Sequence, residues 1–230
     1  MPLRLYQVEA IRQHVPMQTT LGHDVASIAA SLSNDTIHVW LLDYRRESLR
    51  EPLKALLGVY LGVAANTVIL HNDEHGRPEL TAPWNTLLQF NWSHSADKAV
   101  IAVARGITPG IDIERAHARP RALEIAERFF HPDETAALTA LEESQRGLSF
   151  LQLWTGKEAV VKALGRGIAF GLQRFCIAVP PAPSRVLWLD GDDASQWQLH
   201  AIDIDANHVA SLAWRGPPRN VAMWTLADAR

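Results

Sequence analysis

The sequence predicts an α+β fold, and three observations carry that prediction. "TIHVWLLD" (Thr36 to Asp43) is apolar and rich in strand formers, and "RRESLREPLKALLGVYLG" follows with Leu49, Leu53, Leu56, Leu57 and Tyr60 at helical spacing. Phe90 to Glu114 divides into three short strand-like runs, "FNWS", "AVIAVA" and "GIDIE", joined by the turn-like "HSADK" and "RGITPG". These predict a meander. Beyond a long helical stretch, strand-like runs alternate with Pro, Gly and Asp turns to the end of the chain, which predicts a second, mostly antiparallel sheet.

Taken in order, residues 1 to 35 carry little pattern and read as a loosely packed arm. Pro52 is tolerated in the helix after "TIHVWLLD" if it lies in the first turn. "HNDEHGRPEL" (His71 to Leu80) is polar and punctuated by Gly76 and Pro78. "RPRALEIAERFF" is amphipathic, with either Leu123, Ala126 and Phe130 or Ile125 and Phe129 inward. His131-Pro132-Asp133-Glu134 has the form of a helix start, with Pro at the first position and acids in the first turn. "SFLQLWTGKEAVVKALG" predicts a long helix that Gly165 or Gly167 can cap. The closing runs "RFCIAV", "RVLWLD", "WQLHAIDI", "HVASLAWR" and "VAMWTL" are assigned to the second sheet. A boundary is expected near Arg105 to Pro109.

Composition narrows the function classes. The 230 residues are 47% apolar and 20% charged, enough to bury one large core or two smaller ones. A formal net charge of −3 argues against a general nucleic-acid binder. A single cysteine, Cys176, excludes an internal disulfide and a cysteine-based zinc site. "MPLRLYQVEAIRQH" lacks the apolar segment of a signal peptide, and no window approaches the ~20 apolar residues of a membrane span. The expectation is a cytoplasmic protein able to act as a monomer.

"GIDIE" holds the first chemical signal. In a strand, Asp112 and Glu114 share a face while Ile111 and Ile113 point the other way. Two like charges that close repel, and a hard divalent cation such as Mg²⁺ relieves them. A solvent-facing strand with hydrated acids shows the same spacing. On the long helix, Glu158 and Lys162 stand at i and i+4 and share a face, while Lys157 lies about 100° round from Glu158. A carboxylate and an ammonium placed together suit a metal and a phosphate, and equally an ordinary surface pair.

Two further features suit an anion. Arg46, Arg50 and Lys54, at i, i+4 and i+8, form one cationic face of the expected first helix. Such like charges destabilise an isolated helix, so an anionic partner and a solvated face are both open readings. Ser93 and His94 close the "FNWS" strand, where hydroxyl, imidazole and turn N–H groups can all donate to a phosphate. No G-x-S-x-G elbow accompanies them.

In order and spacing, "HGRP", "FNWSHS", "GIDIE", "RFFHPDE" and "WTGKEAVVKALGRG" resemble the phosphopantetheinyl transferases of the surfactin-synthetase-activating type. The resemblance runs from about His75 to Phe175. Upstream it rests on "VWLLD" and "LKALLGVYLG", without the helical segment that the family usually places between them. It implies two similar α+β halves forming a pseudo-dimer in one chain, residues 1–105 and 106–230, each with a small antiparallel sheet and a long helix. It implies transfer of the phosphopantetheine arm of coenzyme A to a serine of an apo acyl or peptidyl carrier protein, with release of 3′,5′-ADP.

By the same resemblance, Asp112, Glu114 and Glu158 hold Mg²⁺. Glu158 is the candidate base and Lys162 contacts the pyrophosphate. Ser93 and His94 bind coenzyme A phosphates, and Lys54, with Arg50 or Arg46, binds the 3′-phosphate. Gly76 and Arg77 lie along the adenine, Lys157 lies near the nucleotide, and Glu134 is a further acid near the site. Two rivals remain: a non-catalytic binding module on the same fold, and an unrelated Mg²⁺-dependent phosphohydrolase.

Overall fold

The computed structural model describes residues 17–20 and 25–226. Most of the arm expected over residues 1–35, including the segment judged against a signal peptide, lies outside them. In chain order the elements begin with β1 (Met17–Thr20), α1 (Val25–Ala30), β2 (Thr36–Asp43) and α2 (Glu51–Leu61). A small hairpin follows, β3 (Leu70–Asn72) and β4 (Pro78–Leu80), then β5 (Gln89–Ser95), β6 (Lys98–Ala104) and β7 (Gly110–Arg115). Three helices come next, α3 (Ala122–Phe129), α4 (Pro132–Ala140) and α5 (Glu143–Leu164). The chain closes with β8 (Phe175–Ile177), β9 (Val186–Leu189), β10 (Trp197–Asp205), β11 (His208–Arg215) and β12 (Asn220–Leu226).

The result is a mixed α+β architecture in four layers. A five-stranded sheet runs β1-β12-β2-β6-β5, and a three-stranded sheet runs β10-β11-β7. One face of the larger sheet, with Trp40, Leu42, Ile101 and Val103, packs against Leu53, Leu56 and Leu57 of α2. Its other face, with Val39, Val100 and Ala102, meets Ile111, Ile113 and Leu212 of the smaller sheet. The far side of the smaller sheet, through Leu199 and Ala213, packs on α5 with Leu153, Val160 and Val161. Alternating side chains make this layering work, because β2, β6, β10, β11 and β12 each feed two cores.

Three local expectations are corrected. The meander does not close, because β5 and β6 form an antiparallel hairpin but β7 pairs with β11 instead of β6. "VAMWTL" does not join the second sheet: as β12 it lies parallel to β2, between it and β1. There Trp224 packs against Trp40 with ring centroids 5.3 Å apart, so β12 finds its apolar partners in the first sheet. The chain thus crosses between sheets after Ala104 and returns for its last strand.

The third correction concerns the basic stripe. Pro52 lies in the first turn of α2, which therefore starts at Glu51. Arg46 opens a separate 3₁₀ turn, Leu49 has a positive φ of 49° and Arg50 precedes the helix. Arg46, Arg50 and Lys54 are therefore not on one helical face, and Leu49 is exposed. Of the two faces weighed for α3, the one with Ala126 and Phe130 is buried, whereas Phe129 is exposed.

Helix α4 starts as its sequence predicts. The His131 side chain accepts from the Asp133 N–H, and Glu134 Oε2 accepts from the His131 N–H at 3.0 Å. Helix α5 is longer than expected and ends at Gly165 in the left-handed region. Gly110 sets the distance between β7 and α5: a Cβ there would lie 2.0 Å from the Ala159 carbonyl oxygen and 2.4 Å from the Ala163 nitrogen. Only glycine allows this contact, and it brings the acids of β7 against the charged end of α5.

Candidate active site

The acids and the lysine meet where β7 crosses α5. The isoleucines of β7 face the inter-sheet core, which turns Asp112 and Glu114 toward α5 and the edge strand β5. Lys162 Nζ donates to Asp112 Oδ1 at 2.7 Å and to the Ile111 carbonyl at 3.1 Å. Ser93 Oγ donates to the same Asp112 oxygen at 2.7 Å. Glu114 Oε2 accepts from Ser95 Oγ at 3.2 Å and from Arg119 Nη2 at 3.3 Å.

The remaining oxygens carry the information about ligands. Asp112 and Glu158 are both buried, and Asp112 Oδ2 and Glu158 Oε1 have no hydrogen-bond partner. A buried carboxylate oxygen without a protein donor is costly unless an ion or water meets it. Burial pushes the Glu158 carboxyl up to about 7; the charges of Asp112 and Glu114 add to this and Lys162 opposes it. Three carboxylates in mutual repulsion, two with bare buried oxygens, fit a hard divalent cation that takes oxygen ligands.

His94 and Arg46 form a basic rim on one side of this cluster. His94 is exposed and stacks on Tyr44 with centroids 4.5 Å apart. Its imidazole is held below its ordinary value by partial burial, then by the charges of Lys162 and Arg46. Those couplings place Arg46 and Lys162 within electrostatic reach of His94. Lys54 and Arg50 sit at the start of α2, where Lys54 pairs with Glu51 at 3.6 Å and Arg50 donates to Asn72 Oδ1 at 2.9 Å.

One expected contact is corrected. Lys157 is fully buried and turned away from the acids: its Nζ donates to both Glu134 oxygens, at 2.8 and 2.7 Å, and to the Phe175 carbonyl at 2.9 Å. It also lies 4.0 Å from the Phe175 ring centroid. It cannot touch a nucleotide from there, and Glu134 belongs to the same buried pair. Arg77 is also committed. Its guanidinium donates to the Lys162 carbonyl at 2.6 Å and to the Phe90 carbonyl at 3.1 Å, so it ties the end of α5 to β5. Gly76, at φ 83° in the β3–β4 turn, remains open to a ligand.

Sequence reasoning missed Asn91, Ser95 and Arg119. The first two were signalled by polar residues at alternate positions of "NWSHS"; Arg119 had no local signal. A separate trio, His131, Asp133 and Cys176, could also gather around a metal, but the His131 imidazole is already the cap of α4.

With this geometry in view, comparison with known proteins is direct. Residues 108–213 match the family profile of the 4'-phosphopantetheinyl transferase superfamily. The 4'-phosphopantetheinyl transferase HetI of Nostoc sp. is 34% identical over 196 residues, covering 82% of this chain and 81% of that protein. The 4'-phosphopantetheinyl transferase psf-1 of Bacillus pumilus is 35% identical over 137 residues, 59% of this chain and 57% of that one. Among solved structures, holo-[acyl-carrier-protein] synthase of Thermotoga maritima aligns with a TM-score of 0.37 at 17% identity, covering 47% of this chain and 62% of its own. At this identity and coverage the protein is a transferase, and the chain belongs to the 4'-phosphopantetheinyl transferase superfamily.

Proposed function

We propose that the cluster on β7 and α5 moves the phosphopantetheine arm of coenzyme A onto a serine of an apo acyl or peptidyl carrier protein. The serine oxygen forms a bond to the phosphorus that bears pantetheine. The pyrophosphate P–O bond breaks, and 3′,5′-ADP leaves with the electron pair. Glu158 takes the serine proton, directly or through one water. Lys162 neutralises charge on the pyrophosphate as ADP departs. His94 and Arg46 bind coenzyme A phosphates from the rim, with Lys54 and Arg50 as candidates for the 3′-phosphate.

Asp112, Glu114 and Glu158 would hold Mg²⁺, which when bound supplies Lewis-acid stabilisation of the pyrophosphate oxygens. One observation supports this reading most: the two unpartnered buried oxygens, Asp112 Oδ2 and Glu158 Oε1, within one acid cluster. We further read residues 1–105 and 106–230 as two similar halves with coenzyme A between them, the rim belonging to the first and the acids to the second. The protein works as a cytoplasmic monomer in this proposal, and no helix among the described residues is long and apolar enough to cross a membrane.

Incubation with coenzyme A, Mg²⁺ and several apo carrier proteins tests the reading by intact mass. The expected result is one added phosphopantetheine on a carrier and one 3′,5′-ADP released. Coenzyme A that binds without modifying any carrier would favour a binding module. Coenzyme A hydrolysed without an acceptor would favour a phosphohydrolase.

A further inference from the structure

Strands β5 and β7 are the facing edges of two different sheets, and no backbone ladder joins them. Side chains do so instead. Asn91, Ser93 and Ser95 stand at alternate positions of β5 and therefore share one face. Asn91 Oδ1 accepts from the Ile111 N–H at 2.8 Å, and the Asn91 side chain is buried. Ser93 Oγ donates to Asp112 Oδ1 at 2.7 Å. Ser95 Oγ accepts from the Arg115 N–H at 3.1 Å and donates to Glu114 Oε2 at 3.2 Å. The ladder thus grips β7 at both ends by its main chain and between them by its carboxylates.

The chemical consequence lies in which oxygens are occupied. Asp112 Oδ1 is taken up by Ser93 and Lys162, and Glu114 Oε2 by Ser95 and Arg119. Each carboxylate is thereby fixed in rotation, and Asp112 Oδ2 is left bare beside Glu158. Groups that hydrogen-bond a metal ligand orient it and tune its affinity for the metal. We propose that Asn91, Ser93 and Ser95 are positioning residues that preset the acid cluster for a divalent cation, Ser93 acting through Asp112 rather than on a phosphate. This rests on the metal reading given above. The ladder also explains why three small polar residues occupy a strand edge next to an apolar core: each has a partner on β7.

Ser95 gives the cleanest test, because it is half-exposed and its removal leaves the Asn91 and Ser93 contacts in place. Mn²⁺ serves as the probe, with free and bound ion distinguished by electron paramagnetic resonance in the presence of coenzyme A. Wild type, Ser95→Ala, Ser95→Thr and Asp112→Ala are titrated, and thermal melting and metal-free coenzyme A affinity are measured on each. Ser95→Ala should weaken Mn²⁺ roughly tenfold while coenzyme A affinity stays put, and Ser95→Thr, which keeps the hydroxyl, should restore it. Wild-type Mn²⁺ affinity in Ser95→Ala would overturn the proposal. So would a loss in Ser95→Thr equal to that in Ser95→Ala. A wild type that binds Mn²⁺ no more tightly than Asp112→Ala would remove the metal reading itself, and the ladder's role with it.

Discussion

Replacing Lys157 with methionine deletes an ammonium but little volume. In the native protein that ammonium makes two bonds to Glu134 and one to the Phe175 carbonyl, all buried. Burial pulls the Lys157 pKa down, and the Glu134 carboxylate opposes that pull. Without the ammonium, the Glu134 carboxylate keeps two main-chain donors, Ile177 N–H at 2.7 Å and His131 N–H at 3.0 Å. Breaking one side of a buried pair costs about 3–5 kcal/mol, and those two donors place this case at the lower end, about 3. Removing both charges, as in Lys157→Met with Glu134→Gln, should cost less than the single change, because no unpaired charge remains. Equilibrium urea unfolding of the two single variants and the double one reads all three values. The Michaelis constant for coenzyme A should stay within about twofold in whatever fraction folds, since an effect on ligand binding alone would be worth less than ~0.5 kcal/mol. A Lys157→Met variant with wild-type stability and a tenfold higher Michaelis constant would refute the structural role and return Lys157 to the nucleotide.

Three other outcomes are expected. Burial pulls His38 down to about 4 from an ordinary 6.5, so its contribution is complete above pH 6.5 and is lost as pH falls toward 4. That loss is about 3 kcal/mol, and urea midpoints at pH 7 and 4.5 should fall less for His38→Gln than for wild type; equal falls would contradict it. Gly110→Ala forces a Cβ into the backbone of α5 and should cost more than about 3 kcal/mol, seen as a large drop in melting temperature. A near-normal melt would mean that β7 and α5 are not packed as described. Lys54→Ala should raise the Michaelis constant for coenzyme A at least several-fold more than that for its 3′-dephospho form, whereas equal effects would remove Lys54 from the 3′-phosphate.

Much of the site was legible because its signals are local. Strand alternation put Asp112 and Glu114 on one face, and helical spacing put Glu158 and Lys162 together; the structure brings those two faces into contact. The misreadings came from long-range pairing. "GIDIE" follows two paired strands closely, yet its partner β11 lies about a hundred residues downstream, so proximity in sequence wrongly suggested a meander. "VAMWTL" comes last, yet its apolar face is complemented by Trp40 in the first sheet. Lys157 stands one residue before Glu158 and shares its motif, but the acid that claims it sits on α4, and no periodicity reveals that. The carbonyls of β5 and α5 that hold the Arg77 guanidinium are likewise brought together only by the fold.

In the proposed mechanism the buried acids hold a cation at the pyrophosphate. The most direct test is the single-turnover rate of carrier modification by coenzyme A across a Mg²⁺ titration, for wild type and Asp112→Asn, which keeps the shape but removes the charge. The wild-type rate should vanish in EDTA and saturate with Mg²⁺, and the Asp112→Asn rate should be lower by at least ~100-fold at every Mg²⁺ concentration. A wild-type rate unchanged in EDTA, or an Asp112→Asn rate close to wild type at limiting Mg²⁺, would contradict it.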